Sequence, residues 1–436
     1  MKIITRELFV PRGDLKLEGL ENLRSYFASR LSQNFKNLFY KPIRFVVSKT
    51  SQSGYNCEID SIVFNQKESS DFLLNHADNI FEYRKRNHER TDKFVAVLVI
   101  PTGIDAEIGG HCGDGNPVAR LIASACDVLI THPNVVNASD INEMTENTLY
   151  VEGSILTRLL TGQIGLQKVR SNKVLVLMDS HEDKYFNEEV INAVSSARVT
   201  LGMDCDVHEM KNHLESTSFY SKSGRAIGEI KQLENLFEVV KKYRNGYDAI
   251  GLSTFIKTPK DYFKKYFEKD NIVNPWGGIE AMLTHSLAET FGIPCAHSPM
   301  ASSEEKNLEL GIVDPRKAPE TASVTYLHCI LKGLHRSPKI VPSNQGLTVE
   351  DVSCLIIPDG CVGLPTLACL EQNIPVIAVR GNKNRMKNDL SKLPFGKNKL
   401  FVVDNYLEAV GIMKCLKSGV SPSSIHRPIS HTKILN

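Results

Sequence analysis

The 436-residue chain reads as an α/β protein, with largely parallel sheets and flanking helices in two lobes that follow a small N-terminal α/β unit. Three observations carry that reading. Between about residues 94 and 300, short apolar runs alternate with helical segments of ten or more residues, which is the pattern of βαβ units. Two separate stretches, 94–130 and 353–379, each run strand, Gly-rich loop, helix, strand. The length also exceeds what one ordinary core fills, so two or three domains are expected.

The elements follow in order. Residues 1–93 form the small unit. Helical spacing over 20–39 puts Leu23, Tyr26, Phe27, Leu31 and Phe35 on one side, and 43–47 and 59–64 read as strands. The charged stretch 81–93 reads as the end of a helix. In the central domain, 94–300, strands are expected at 94–100, 128–130, 174–178, 206–209, 249–253 and around Pro294. Helices are expected at 118–126, 188–201, 226–244 and 279–291. The charged, aromatic-rich stretch 258–275 suits a lid or an insertion. The C-terminal lobe, 301–436, opens with a Pro-punctuated polar loop over 301–319. A helix at 322–333, a strand at 353–357, a helix at 366–372 and a strand at 375–379 follow.

Composition narrows the function. A hydrophobic fraction of 42% and a charged fraction of 23% are those of a globular protein. A net charge of +2, one Trp and 7% aromatic residues supply neither a polyanion surface nor a stacking platform, so no nucleic-acid partner is expected. The absence of a secretory-type apolar start and of any apolar run of about 18 residues predicts no membrane partner. Ten scattered cysteines without a CxxC pair suit reduced thiols, and a cytoplasmic location is expected. The expected partner is a small-molecule substrate, with homo-oligomer formation left open.

The chemistry-bearing residues cluster where strands end, and in parallel sheets ligands bind at those carboxyl edges. After the first run, Gly109 and Gly110 lie in a loop that also carries Asp105, Glu107, His111, Cys112 and Asp114. Pro117 then starts a helix whose free amides suit a carboxylate or phosphate. Glu107 is a catalytic candidate there, with Gly109, Gly110, Asp114 and Arg120 as substrate contacts. The alternative is a tight structural turn. His132 ends the next run as a base or ligand, beside Asn134 and Asn137. Cys295 and His297 face one side of an extended segment, a spacing that suits a thiolate activated by imidazole. His285, on the preceding helix, reads as structural. Cys361 lies between Gly360 and Gly363 at a strand-to-helix turn, where amides and the helix start favour the thiolate. Each thiol also fits a simple packing role. Arg380 is a candidate partner for a substrate carboxylate.

No cofactor is called for and no HExxH or paired-Cys spacing is present, so no metal ligands are assigned. These residues predict proton abstraction next to a carbonyl by Cys or His, with the Gly-loop amides stabilising the oxyanion, and two alternatives stand beside it. One is a hydrolase with a divalent metal on His132, Asp105 and Asp179. The other is a transferase that grips a nucleotide or phosphorylated ligand.

Five motifs recur in one order: PTGIDAEIGGHCGDGNPVARL (101–121), LITHPNVVN (129–137), LYVEG (149–153), IEAMLTHSLAETFGIPCAHSP (279–299) and GCVG (360–363). On these the chain resembles a family of unknown function from cyanobacteria, plant plastids and scattered other bacteria, over roughly residues 94–415. The resemblance implies an enzyme-like, two-lobed α/β protein. About 20 residues around Cys361 are also similar to the Cys loops of aspartate/glutamate racemases, in which two thiols face one α-carbon. Together with the residues above, that likeness supports the expected function, a lyase, isomerase or racemase acting on a small carboxylate-bearing molecule by Cys/His chemistry in an inter-lobe cleft.

Overall fold

Short runs of β-branched residues with no polar alternation, such as VAVL at Val95–Leu98 and VIAV at Val376–Val379, are buried on both faces. Such runs build parallel sheets covered by helices on either side. Here they form a six-stranded, wholly parallel sheet in the order Leu400–Val403, Val376–Val379, Val352–Pro358, Val95–Leu98, Val128–Thr131, Thr148–Tyr150. The computed structural model describes residues 1–15, 17, 19–31, 38–65, 80–138, 141–181, 184–259, 262–269, 272–300, 305, 309–322, 325–432 and 434.

The second sheet has ten strands and two characters. One half is parallel: Cys205–Glu209, Val174–Met178, Ala249–Lys257 and Cys295–Met300 lie side by side. The far end of Ala249–Lys257 pairs with Glu215–Tyr220, which leads into antiparallel strands Ala226–Lys231, Lys2–Pro11, Gly54–Asn65 and Leu38–Thr50. Val362–Gly363 then pairs with Val46 and Val47, so the C-terminal loop is stitched to this sheet's edge.

The α/β class is therefore as the sequence predicts, but the strands ignore the divisions at residues 93 and 300. Strands from 95–150 share a sheet with strands from 352–403, and the N-terminal strands extend the sheet that holds 174–300. Strand pairing is set by long-range burial, which segment-by-segment periodicity does not register.

Helix Gly277–Phe291 illustrates how local sequence sets an element's limits. Asn274 accepts the backbone N–H groups of Trp276 and Gly277 before its first turn. Gly292 ends it in the left-handed region at φ 60°, donating to the Ala288 carbonyl. Three expectations are corrected. Residues 81–93 are not helical: Arg86 instead donates to the carbonyls of Val352 and Gln372, and Arg84 pairs with Glu350 at 2.9 Å. The 226–244 segment starts as a strand, turns at Gln232 with φ 59°, and only then forms helix Leu233–Tyr243. The 20–39 helix is described over Leu20–Leu31, and Phe35 lies outside the described residues. Residues 260–261, 270–271, 301–304 and 306–308 of the predicted insertion and loop also lie outside them. Among the described residues no helix is long and apolar enough to cross a membrane.

Candidate active site

The carboxyl edge of the parallel sheet carries, strand by strand, the Gly-rich loop after Leu98, His132 after Thr131, Glu152 after Tyr150, Cys361 after Pro358 and Asn382 after Val379. The two Gly loops sit side by side. The segment after Val379 ties them together: Asn382 Oδ1 accepts the Ile108 N–H and its Nδ2 donates to the Ile108 carbonyl, both at 2.9 Å, while Asn384 Nδ2 donates to Asp359 O at 2.9 Å. Lys383 O takes the Glu107 N–H at 2.8 Å, and the Arg385 N–H donates to Ile104 O at 2.8 Å. Arg225, strand Leu38–Thr50 and helix Gly277–Phe291 complete the walls of a cavity of about 240 Å³ over this edge.

That cavity gathers His132, His285, His297, Glu152, Glu280, Glu289, Arg44, Arg158 and Arg225. His132 is buried, and its Nε2 accepts the Ile100 N–H at 3.2 Å. A backbone N–H only donates, so the neutral ring holds its proton on Nδ1. Burial, with His285 nearby and Glu152 opposing, lowers the His132 pKa to about 4, so the ring is neutral at pH 7.

Nδ1 of His285 stands 2.6 Å from Oε1 of Glu152, bent away from ideal hydrogen-bond alignment. Glu152 also caps helix Gly153–Leu160: its Oε2 accepts the N–H groups of Ser154 at 2.8 Å and Ile155 at 3.2 Å. Burial alone would raise this carboxyl. His285 and the hydrogen bonds of Ser154 and Ile155 outweigh burial and bring it to about 2. Gly153 lets the imidazole approach, since a Cβ there would lie 3.0 Å from Cε1 of His285. Glu289, one turn beyond His285, is pushed by burial up to about 7, against the pull of Arg158 and Lys41. One cavity thus holds a carboxylate that stays ionised and another poised near neutrality.

His297 is fully enclosed. Its Nε2 lies 2.8 Å from the Thr254 hydroxyl and its Nδ1 lies 3.5 Å from Glu280. Cys295 faces the same helix, as the two-residue spacing predicts. It does so deeper in the core and outside the cavity, with its Sγ donating to Thr284 O at 3.2 Å.

The structure therefore brings together His132, His297, Cys361, Asn134, Asn137 and Gly363 from the expected set. It overturns the thiolate expectation. Cys361 lines the cavity, but burial, reinforced by Asp359, drives its thiol far above the ordinary value, and burial does the same to Cys295. The Cys361 N–H is also occupied by Pro358 O. Cys361→Ala is thus expected to leave turnover within about twofold and to cost roughly 1 kcal/mol of stability. Steady-state rates and urea melts check both values.

Other candidates stand elsewhere. Glu107 is exposed, 3.7 Å from Arg316. Arg120 is exposed near Glu143, and Arg380 is exposed and paired with Asp404 at 3.0 Å. Gly109, Gly110 and Gly360 shape the loops rather than the cavity wall. A Cβ on Gly110 would meet Ala106 O at 2.1 Å, so Gly110→Ala is expected to cost about 1–3 kcal/mol in a denaturant melt. Asp114 lies inside the loop, accepting the Gly109 N–H at 2.8 Å, and burial raises it to about 7. Asn134 donates to Ile100 O and Gly109 O, tying the loop to the strand end. Asn137 donates to the Tyr150 hydroxyl at 3.0 Å.

The metal trio does not meet. Asp105 pairs with Arg385 at 2.9 Å, and Asp179 accepts the Leu214 and Phe255 N–H groups in the other sheet. Among the described residues no three His, Cys, Asp or Glu side chains are arranged to hold an ion.

Beside the loop, Glu320 accepts the Cys112 N–H and the Tyr266 hydroxyl, both at 2.8 Å, and burial raises it to about 7. A carboxyl raised on folding stabilises fully below its unfolded value near 4.5 and loses that contribution as pH rises through 7. Glu320→Gln keeps the acceptor. It is expected to match the parent at pH 4 and to be about 3 kcal/mol more stable at pH 8.5, read by urea unfolding.

Sequence reasoning missed Glu152, Glu280, Glu289, Arg44, Arg158 and Arg225, and judged His285 structural. A signal existed: Glu280, His285 and Glu289 are the ionisable residues of an otherwise uncharged, largely buried helix.

The family described as "Protein of unknown function (DUF3326)" matches residues 95–426. An uncharacterized lipoprotein, syc1174_c, of Synechococcus sp. (strain ATCC 27144 / PCC 6301 / SAUG 1402/1) is 31% identical over 338 residues. That alignment covers 76% of this chain and 92% of the relative. No solved structure matches the chain. The extent of the family match and the coverage of that relative place the chain in the DUF3326 family of proteins of unknown function.

Proposed function

We propose that this protein is an enzyme that moves a proton next to the carbonyl of a small carboxylate-bearing molecule, in the manner of a lyase or isomerase. The observation that carries the reading is the Glu152–His285 pair set beside neutral His132 in one cavity. With Nδ1 of His285 held by an ionised carboxylate, Nε2 is the basic nitrogen, and the carboxylate stabilises the imidazolium that forms. His285 Nε2 takes the proton, and the C–H electron pair moves into the new C=C bond. The carbonyl oxygen becomes the oxyanion, and the Nδ1–H of His132 donates to it. The imidazolium returns the proton to complete the exchange or shift.

Arg158 receives the substrate carboxylate. Among the described residues it is the cavity guanidinium with no carboxylate within 4 Å, whereas Arg44 and Arg225 are held by Asp60 and Glu58. The thiols take no part. The test is proton NMR in D₂O with a panel of 2-oxo acids, 2-hydroxy acids and sugar phosphates. Catalysed loss of the signal of the hydrogen next to the carbonyl in a carboxylate member supports the reading. Absence of exchange in every member, or exchange undiminished in His285→Gln, overturns it.

A further inference from the structure

Two helices supply much of the cavity's polar lining: Ser154, Thr157 and Arg158 stand on Gly153–Leu160, and Glu280, Thr284 and His285 stand on Gly277–Phe291. The sheet strands and their adjoining loops add Arg44, His132 and Arg225 and, beside them, an apolar surface. Ile43, Phe45, Val99, Ile104, Ile357 and Met386 line the cavity, all buried, and none of these side chains forms an ordinary hydrogen bond. A three- or four-carbon metabolite would occupy the helix side and leave this second wall facing water. Size points the same way. An apolar cavity of roughly 150 Å³ takes up benzene, and this one measures about 240 Å³.

We propose that the ligand of this cavity is an amphipathic carboxylic acid. Its acidic, reactive end lies among Arg158, His285 and His132. An aliphatic or aromatic body of about six carbons, the size of benzene, lies against Ile43, Phe45, Val99, Ile104, Ile357 and Met386. The proposal rests on the proton-transfer reading for its polar end and adds what the substrate must carry besides the carboxylate. The physical expectation is simple: each methylene moved from water onto an apolar wall tightens binding about fourfold.

The test is titration calorimetry of the full chain with acetate, butyrate, hexanoate and octanoate. The expected result is a dissociation constant that falls about three- to fourfold per methylene up to a body of about six carbons and then levels off. Arg158→Gln should weaken every member by a similar factor and leave that slope unchanged. Val99→Trp, or Met386→Trp should the first variant fail to fold, should flatten the slope, so that hexanoate and octanoate lose most of their advantage over acetate. A flat series in the parent protein, no binding by any member, or a slope that survives the filled wall overturns the proposal. These are binding measurements. A protein that shows the chain-length dependence but exchanges no proton in D₂O would lose the catalytic reading and keep this one.

Discussion

His285→Gln is expected to slow proton exchange on the substrate by about 10²- to 10⁴-fold in the folded protein, and to lower its stability at pH 7 because buried Glu152 loses its main partner. Glutamine can reach the same pocket and keep a polar contact with Glu152, but it has no basic nitrogen. Glu152→Gln separates two roles of one carboxylate. Its side-chain oxygen can still accept the Ser154 and Ile155 N–H groups, so the helix cap survives. The negative charge beside Nδ1 of His285 does not, and the imidazolium loses its counter-ion. Turnover should fall as for His285→Gln.

The stability effect of Glu152→Gln has a defined sign and window. Glu152 is fully buried and its carboxyl is depressed from 4.5 to about 2. A depressed carboxyl stabilises fully above its unfolded value, and that stability is lost as pH falls through the folded value. The shift corresponds to roughly 3 kcal/mol at neutral pH. Urea unfolding should therefore find Glu152→Gln less stable than the parent at pH 7, with the gap closing between pH 4.5 and 2. An equal gap at pH 7 and pH 2 would mean that the cap, not the charge, is what the substitution removes.

Much of this site was legible in the chain. The strand ends could be read because buried parallel strands leave continuous apolar runs, and the residues just after them, His132 and Cys361, do line one cavity. What sequence could not give was depth. Cys361 between two glycines reads as an activated thiol, yet in the folded chain it is buried, and desolvation raises the thiol. Nor could it give the far wall. Arg44, Glu58, Asp60 and Arg225 are ordinary charged residues in sequence and become neighbours only when the strands pair. Glu107, Arg120 and Arg380 failed for the opposite reason: a charged residue near a loop is usually solvated, and these three are.

That far wall should show the largest loss of stability. Arg44 and Thr5 both pair with Asp60 in strand register, and Val46 and Glu7 with Glu58, so the carboxylates share one face of the antiparallel sheet. There Arg225 Nε meets Glu58 at 2.5 Å, Arg44 Nε meets Asp60 at 2.5 Å, and Arg225 reaches Asp60 at 3.7 Å. Burial works to raise Asp60, but the two guanidiniums and the Thr5 hydroxyl outweigh it and hold the carboxyl below its ordinary value. Ser221 and Ser223 donate to the remaining Glu58 oxygen at 3.0 and 2.7 Å. Removing one partner strands a desolvated charge, so Glu58→Gln should cost about 3–5 kcal/mol in a denaturant melt. Replacing both partners, Glu58→Leu with Arg225→Met, removes the stranded charge and should recover most of that loss. The two measurements together decide what the quartet contributes. If the double variant is as unstable as the single, the pair supplies net stability. If it regains parent stability, the quartet is kept for the charge it sets beside the cavity, because apolar side chains would hold the sheet as well.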